Sequence, residues 1–355
     1  MRLILCILLI ALSVACSGSD NNTQPPGPER PDHHTDDGFI NPHSGPYEGD
    51  IFAFIRMRLF GGHEWADQAA QLEALTEDEL PITTLNPETL FTPGERPRVT
   101  WIGHATMLVQ YQGKNVLTDP MFSTRASPVP LLGPRRHFPP AIEIEQLPPI
   151  DAVVISHNHY EHLDLASIEK LGNEPRYYVP LGLKSWFIDK GIDAAQVTEM
   201  DWWDEHNEED MQITATPNQH WSARTFFDRN QSLWAAWHIR IDDFTFWFAG
   251  DTGYNDYQFR QIGERLGPVN VALIPIGAYE PRDFMEVSHA NPEEAVKMHL
   301  DVQAQQSFAI HWATFQLSAE GLLQPKEDLG KARVKHDVPE NEFRALKIGQ
   351  SVIID

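Results

Sequence analysis

The chain is short of cysteine, of basic residues and of long apolar runs, and each shortage excludes something. Its 355 residues include two cysteines, Cys6 and Cys16, too few for a disulfide framework. Lys and Arg total 27 against 51 Asp and Glu, a formal net charge of −24. A phosphate-rich polyanion is repelled by such a surface, so a nucleic-acid partner is disfavoured. The same deficit leaves no polybasic patch to dock electrostatically on anionic lipid. The one markedly apolar opening run, Leu3 to Leu12, is too short to span a bilayer as a helix. There is no internal repeat.

What is present is concentrated in Ser156-His157-Asn158-His159-Tyr160-Glu161-His162-Leu163-Asp164. Three imidazoles and a carboxylate follow directly on the apolar run Ala152 to Ile155, which reads as a buried strand. Neutral imidazole and carboxylate are the ligands that zinc and similar metals take, and three protein ligands with an open position make a catalytic site. His157 and His159, two apart on a turn, can converge on one metal. Further candidates sit at the ends of other strand-like runs: His220 after Ile213 to Pro217, Asp251 after Phe244 to Gly250, and His311 after Ser307 to Ile310. Taken singly, each has an ordinary structural reading as a hydrogen-bonded or turn residue. Their shared placement on loops at strand ends favours function.

Together these residues resemble the metallo-β-lactamase superfamily pattern H-x-H-x-D-H followed by a distant His, Asp and His. Flanking segments narrow the resemblance. Val99 to Thr106, Leu117 to Pro120, Phe122 to Pro128, Leu147 to Val153, Asp201-Trp202-Trp203, Phe248 to Tyr254, Ile274 to Arg282 and His311 to Phe315 are similar to the N-acylphosphatidylethanolamine-hydrolysing phospholipase D family. The likeness runs from about residue 95 to 355. It implies an α/β fold, the αββα metallo-β-lactamase sandwich of two mixed β-sheets packed face to face with helices outside. It also implies two zinc ions, one held by His157, His159 and His220, the other by Glu161, His162 and His311, with Asp251 bridging both. Two metals can clamp the attacking and leaving oxygens of a displacement at phosphorus, so no Ser, Cys or Lys nucleophile is required. Where the family carries Asp, this chain has Glu161, one methylene longer. A second site shifted to suit it, a single-metal enzyme and a metal other than zinc all stay open.

Around these ligands several roles remain alternatives. Asp164 is placed either to orient a ligand imidazole or to cap the helix expected from Leu165 to Lys170. His289 matches a family histidine thought to lie beside the metals, and equally precedes an expected helix start. His104 lines the cavity or is a satisfied core histidine. Arg125, Arg135 and Arg136 meet a phosphate or form a solvated basic loop.

At the N-terminus, Met1-Arg2, the apolar run and Ser13-Val14-Ala15-Cys16 read as a signal peptide over 1–15. Cys16 resembles the lipidated first residue of a bacterial lipoprotein, with an ordinary signal peptide as the alternative. Cleavage before Cys16 removes Cys6, leaving no pair to oxidise. Ser17 points to the outer membrane, facing the periplasm. Residues 16–50, rich in Pro, Gly, Asp and Asn, read as a disordered linker in which His33, His34 and His43 are solvated, with weak metal binding as the alternative. Residues 51–95 read as a helical extension with helices at Ile51 to Phe60 and near Trp65 to Leu75. The catalytic domain is expected over 96–355.

The resemblance thus leads to a zinc-dependent phosphodiesterase that cleaves N-acylphosphatidylethanolamine or a related glycerophospholipid to phosphatidate and an N-acylethanolamine. The alternatives are a metal-dependent lactonase or other small-molecule hydrolase of the same superfamily, and a lipoprotein that only binds metal or lipid. Oligomeric state is not legible.

Overall fold

The strands that build the molecule are short, apolar and paired in two stacks. The computed structural model describes residues 30–44, 51–92, 94–129, 131–208 and 210–355. The expected signal peptide, Cys16 and its lipid lie outside the described residues. Seven strands form the first sheet: β1 (Arg98–Gly103), β2 (Thr106–Tyr111), β3 (Lys114–Thr118), β4 (Ala152–Val154), β5 (Arg176–Pro180), β6 (Val197–Met200) and β14 (Ser351–Ile353), in the order β14-β1-β2-β3-β4-β5-β6. The second comprises β7 (Glu205–Glu208), β8 (Met211–Thr216), β9 (Ala236–Ile241), β10 (Phe244–Phe248), β11 (Val269–Pro275), β12 (Ala304–Ile310) and β13 (Phe343–Arg344), in the order β13-β12-β11-β10-β9-β8-β7. Both sheets are mixed. β1, β2 and β3 run antiparallel before β3 to β6 run parallel. β7 to β10 run antiparallel before β10 to β13 run parallel.

Side-chain alternation explains the layering. On the first sheet Val99, Trp101, Met107, Val109, Val116, Val154 and Tyr178 join the core shared with the second sheet. Their neighbours Ile102, Leu108, Leu117, Val153, Tyr177 and Val179 form a separate cluster with Ile168 and Phe187. Those two belong to helices α3 (Leu165–Leu171) and α4 (Lys184–Asp189). A strand buried on both faces needs apolar residues at every position, which is why β2 and β4 contain so few polar residues. This is the expected αββα sandwich.

Two N-terminal segments differ from the sequence reading or extend it. Helices form at α1 (Ile51–Phe60) and α2 (Gln68–Ala74). α2 packs on the body of the protein: Gln68 Nε2 donates to the Glu320 carbonyl at 2.8 Å, and Leu72 and Leu75 join the main core. The disordered-linker expectation fails for residues 33–41. The compact unit begins at His33, whose side chain is buried against Trp202 with ring centroids 4.1 Å apart. Backbone pairing holds the segment, Ile40 N bonding to the His33 carbonyl and Phe39 N to the Asn230 carbonyl, both at 2.9 Å. Its polar composition reads as linker because its partners lie far along the chain.

Candidate metal centre

The expected ligands all leave strands at one edge of the sandwich. His157, His159 and His162 follow β4, His220 follows β8, Asp251 follows β10 and His311 follows β12. Tight backbone geometry aims them. His162 N and Leu163 N both bond to the His159 carbonyl, at 3.1 and 2.9 Å, folding the loop back on itself. Arg224 Nη1 reaches in from another loop and donates to the carbonyls of Asn158 and Leu163, each at 2.8 Å. Gly250, at φ +61°, lets Asp251 approach, since a Cβ there would lie 2.4 Å from the Ser156 Cβ. His104, Asp119 and His311 adopt φ of +54°, +32° and +61°, a conformation unfavourable for residues with a Cβ. Such strain persists where the surroundings enforce it, and it gathers at functional sites.

The donors fall into two groups on either side of Asp251. In the first, His157, His159 and His220 bring ligand atoms within 4.8 Å of one another. His157 Nε2 lies 2.8 Å from His159 Nδ1, and His220 Nε2 lies 3.4 Å from the same atom. Outer partners set the rings: the Ser288 carbonyl accepts from His220 Nδ1 at 2.8 Å, and Ser156 Oγ sits 2.9 Å from His157 Nδ1. The second group contains His104, His162 and His311, all buried. Asp251 Oδ2 lies 3.1 Å from His162 Nε2, 3.0 Å from His311 Nε2 and 4.0 Å from His220 Nε2, a bridging position. Asp119 Oδ2, fully buried, accepts from His162 Nδ1 at 2.6 Å and from Ser156 Oγ at 2.6 Å.

Electrostatics prepare the groups for a cation. Burial first, then the neighbouring imidazoles, holds His157 and His104 well below the ordinary histidine value, and likewise His159. Burial brings His220 down to about 4. These rings are therefore neutral near pH 7, the form that binds metal. Burial also opposes charge on His162, but Asp251 and the hydrogen bond to Asp119 outweigh it and raise its pKa well above the ordinary value. Burial would likewise raise Asp251, yet His162 and His311 hold it well below the carboxylate range. His162 therefore stands as a cation between the carboxyls of Asp251 and Asp119, although burial pushes Asp119 up. That is where a metal would replace a proton.

Several expectations need correction. Glu161 is half-buried and joins none of the donor groups found among the described residues. Its charge acts instead on Arg224, and His104 occupies the place beside His162 and His311. Asp164 does not touch a ligand imidazole. It stands at the N-cap position of α3, but its carboxylate accepts from Ser123 N at 3.2 Å, Ser123 Oγ at 2.8 Å and Ser167 Oγ at 2.5 Å. The imidazole-orienting carboxylate is Asp119, which sequence reasoning placed only within a motif; an acid closing a buried strand was the available signal. His289 is no helix cap, because Asn291 caps the helix Pro292–Asp301. Its half-buried ring lies with Nδ1 3.9 Å from Asp251 Oδ2, grouped with His220 and Asp251. His104 is not a satisfied core histidine, since neither ring nitrogen has a hydrogen-bond partner. Arg136 is buried rather than solvated, donating to the Met121 carbonyl at 2.5 Å and the Ser123 carbonyl at 3.1 Å. Arg125 is tied to the Gly133 carbonyl at 2.7 Å and bridges Arg135 through the backbone.

The donor set fits a metal. His159 Nε2, His289 Nδ1, Asp251 Oδ1 and both nitrogens of His104 are buried without a hydrogen-bond partner, a costly state unless something binds them. Imidazole with carboxylate, and no thiolate, suits zinc, iron or related ions. Comparison with known proteins agrees. Residues 114–312 match the family model described as the beta-lactamase superfamily domain. The chain is 40% identical over 263 residues to the N-acyl-phosphatidylethanolamine-hydrolyzing phospholipase D 1 of Caenorhabditis elegans, covering 71% of this chain and 74% of that one. It is 38% identical over 273 residues to the mitochondrial N-acyl-phosphatidylethanolamine-hydrolyzing phospholipase D of Saccharomyces cerevisiae, covering 74% and 57%. Among solved structures, the metallo hydrolase Igni18 of Ignicoccus hospitalis shares the fold, with TM-score 0.54 at 20% identity over 73% of this chain and 98% of that one.

Proposed function

Because the chain belongs to the metallo-β-lactamase superfamily, in the family of N-acylphosphatidylethanolamine-hydrolysing phospholipases D, and is a metal-dependent hydrolase, we propose that it is a zinc-dependent phosphodiesterase of phospholipase D type. Its substrate in this reading is N-acylphosphatidylethanolamine or a related glycerophospholipid, and its products are phosphatidate and the headgroup alcohol. The observation that carries the reading is the pairing of the Asp251-centred donor groups with an adjoining amphipathic cavity. That cavity has a volume of about 820 Å³ and begins at the ligand loop itself, with Asn158, Tyr160 and Asp164 in its wall and Leu183, Trp186 and Arg224 beyond. Its size falls in the range of small-molecule sites. Exposed apolar residues adjoin its lining residues along the chain: Val129 follows Pro128, and Phe226 and Phe227 lie between Thr225 and Asp228. Such a rim suits a substrate drawn from a lipid surface.

The chain's own residues supply most of the arrangement. His157, His159 and His220 would hold one zinc, and His162, His311 and His104 the other, with Asp251 between them. When bound, the metals supply Lewis acidity toward a phosphoryl group and neutralise its charge. Asp119 and the Ser288 carbonyl fix the tautomers of His162 and His220 by accepting their Nδ1 protons. His289 is kept neutral by burial, its pKa well below the ordinary value, and its Nδ1 is the atom we assign to hold or move a proton beside the reacting group. Arg224 braces the ligand loop and forms one wall of the headgroup end. A lipid anchor at Cys16, with the protein exported and held at the outer membrane, would bring the cavity to its substrate; Cys16→Ser should release the protein from the membrane fraction.

The test is turnover by purified, zinc-replete protein of N-acylphosphatidylethanolamine, plain phosphatidylethanolamine and a lactone panel, each with and without chelator. Zinc-dependent release of phosphatidate supports the proposal. Lactone opening without phosphodiester cleavage would replace it, and zinc uptake with no turnover would favour a binding role.

A further inference from the structure

Outside the centre, among the described residues, one cluster combines two imidazoles and a carboxylate. His33 Nε2 lies 2.7 Å from Asp201 Oδ1 and His34 Nε2 lies 2.8 Å from Asp201 Oδ2. All three donor atoms fall within 4.8 Å of one another. The two rings meet edge to face, centroids 4.5 Å apart at 80°. That arrangement repeats the pair His157 and His159 of the main centre, 4.4 Å apart at 80°. His33 is 5% exposed, stacked on Trp202, so its Nε2 has a fixed direction. The side chains of His34 and Asp201 keep 24% and 19% of their exposure, which leaves a solvent-facing side for a further ligand. Although burial works against it, the hydrogen bond from His33 holds Asp201 below the usual carboxylate range, so the acid is ionised and ready to ligate.

We propose that His33, His34 and Asp201 form a separate structural site for a divalent transition metal of the zinc class, which fastens residues 33–41 to the body of the protein. The donor set of two nitrogens and one oxygen selects zinc-like ions over calcium or magnesium, which take oxygen ligands. Tetrahedral zinc with bonds of about 2.0–2.1 Å spaces its ligand atoms roughly 3.3 Å apart, so the contacts need to open by only about half an ångström. Such movement is small for side chains held at the Cα by a turn: Thr35 N bonds to the Gly38 carbonyl at 2.8 Å. The fastening has a destination. Asn41 Nδ2 donates to the His220 carbonyl at 2.8 Å, and Trp234 Nε1 donates to Asn41 Oδ1 at 3.2 Å. The strap thus runs from the new site to the backbone of a residue in the main centre, without sharing a ligand with it. This inference does not depend on which substrate the enzyme cleaves.

The experiment titrates zinc into metal-stripped full-length protein and follows both equivalents bound and hydrogen exchange at the amides of Phe39 and Ile40. The natural protein should bind one equivalent more than His33→Ala/His34→Ala, and zinc should slow exchange at both amides only in the natural protein. Asp201→Asn keeps a hydrogen-bonding partner for the histidines but is a poor metal ligand, so it separates loss of metal from loss of folding. It should bind one equivalent fewer while the strap stays ordered without zinc. Equal zinc uptake by natural protein and Asp201→Asn, or exchange at Phe39 and Ile40 unmoved by zinc in the natural protein, would overturn the proposal.

Discussion

The two halves of the main centre are built differently. The first takes two of its three imidazoles from one short loop, and their rings touch, centroids 4.4 Å apart. The second draws His104, His162 and His311 from three separate loops, two of them at left-handed φ, and steadies His162 with a buried acid. Local sequence can encode the first half. Only the closed fold assembles the second. The difference teaches that Glu161, in place of the Asp the resemblance leads one to expect, need not disable the second half, because His104 from the β1–β2 turn groups with His162 and His311.

The largest effect should come from the residue that both halves share. Asp251→Ala removes the bridging carboxylate and leaves two histidine groups facing each other without their common anion. Activity should fall by roughly 10³-fold or more, with zinc bound at the centre reduced below two equivalents. A variant retaining both would mean that the halves do not meet at Asp251.

His104→Ala should weaken the second zinc and lower activity by about 10- to 100-fold, whereas Glu161→Ala should leave zinc content near that of the natural protein. The reverse ranking in metal analysis would return Glu161 to the ligand set. Asp119→Asn tests how the second half is held. Loss of the acceptor for His162 Nδ1 should cost about 10- to 100-fold in metal affinity or activity, while Ser156→Ala, which touches His157 directly and the second half only through Asp119, should cost less.

How far these features could be read from the chain follows the same division. Inner strands such as β2 and β10 are apolar and β-branched or aromatic, so their periodicity announces them. The edge strands were not legible. β7 is Glu205-His206-Asn207-Glu208, charged as protected sheet edges often are, and β13 is only two residues long. The motif histidines and Asp251 were legible because ligand chemistry and strand ends coincide there. Asp119 and Arg224 were not, since their partners lie 43 and 66 residues away. His33 and His34 were misread for the same reason: a polar segment looks solvated until Asp201, 168 residues on from His33, closes on it. Asp164 shows a subtler failure, for it sits at the expected cap position while its carboxylate serves Ser123.

The smallest effect at neutral pH separates the centre's histidines from those buried elsewhere. Burial lowers His238 to about 4 from 6.5, so it is neutral when folded and protonated when unfolded between those values. The unfolded state then binds more protons, and stability is lost as pH falls from 6.5 towards 4, by up to about 3 kcal/mol for this group. His238→Phe should flatten that part of the pH–stability curve of metal-free protein and leave zinc binding at the centre unchanged. An unaltered slope would mean that His238 is not held neutral.

The bond broken tests the account most directly. Zinc-replete protein hydrolysing N-acylphosphatidylethanolamine in oxygen-18 water should place the label on phosphatidate, with the headgroup alcohol unlabelled, and Asp251→Ala should abolish labelled product. Label appearing in a fatty-acid carboxylate instead, or labelled phosphatidate formed equally by Asp251→Ala, would contradict it.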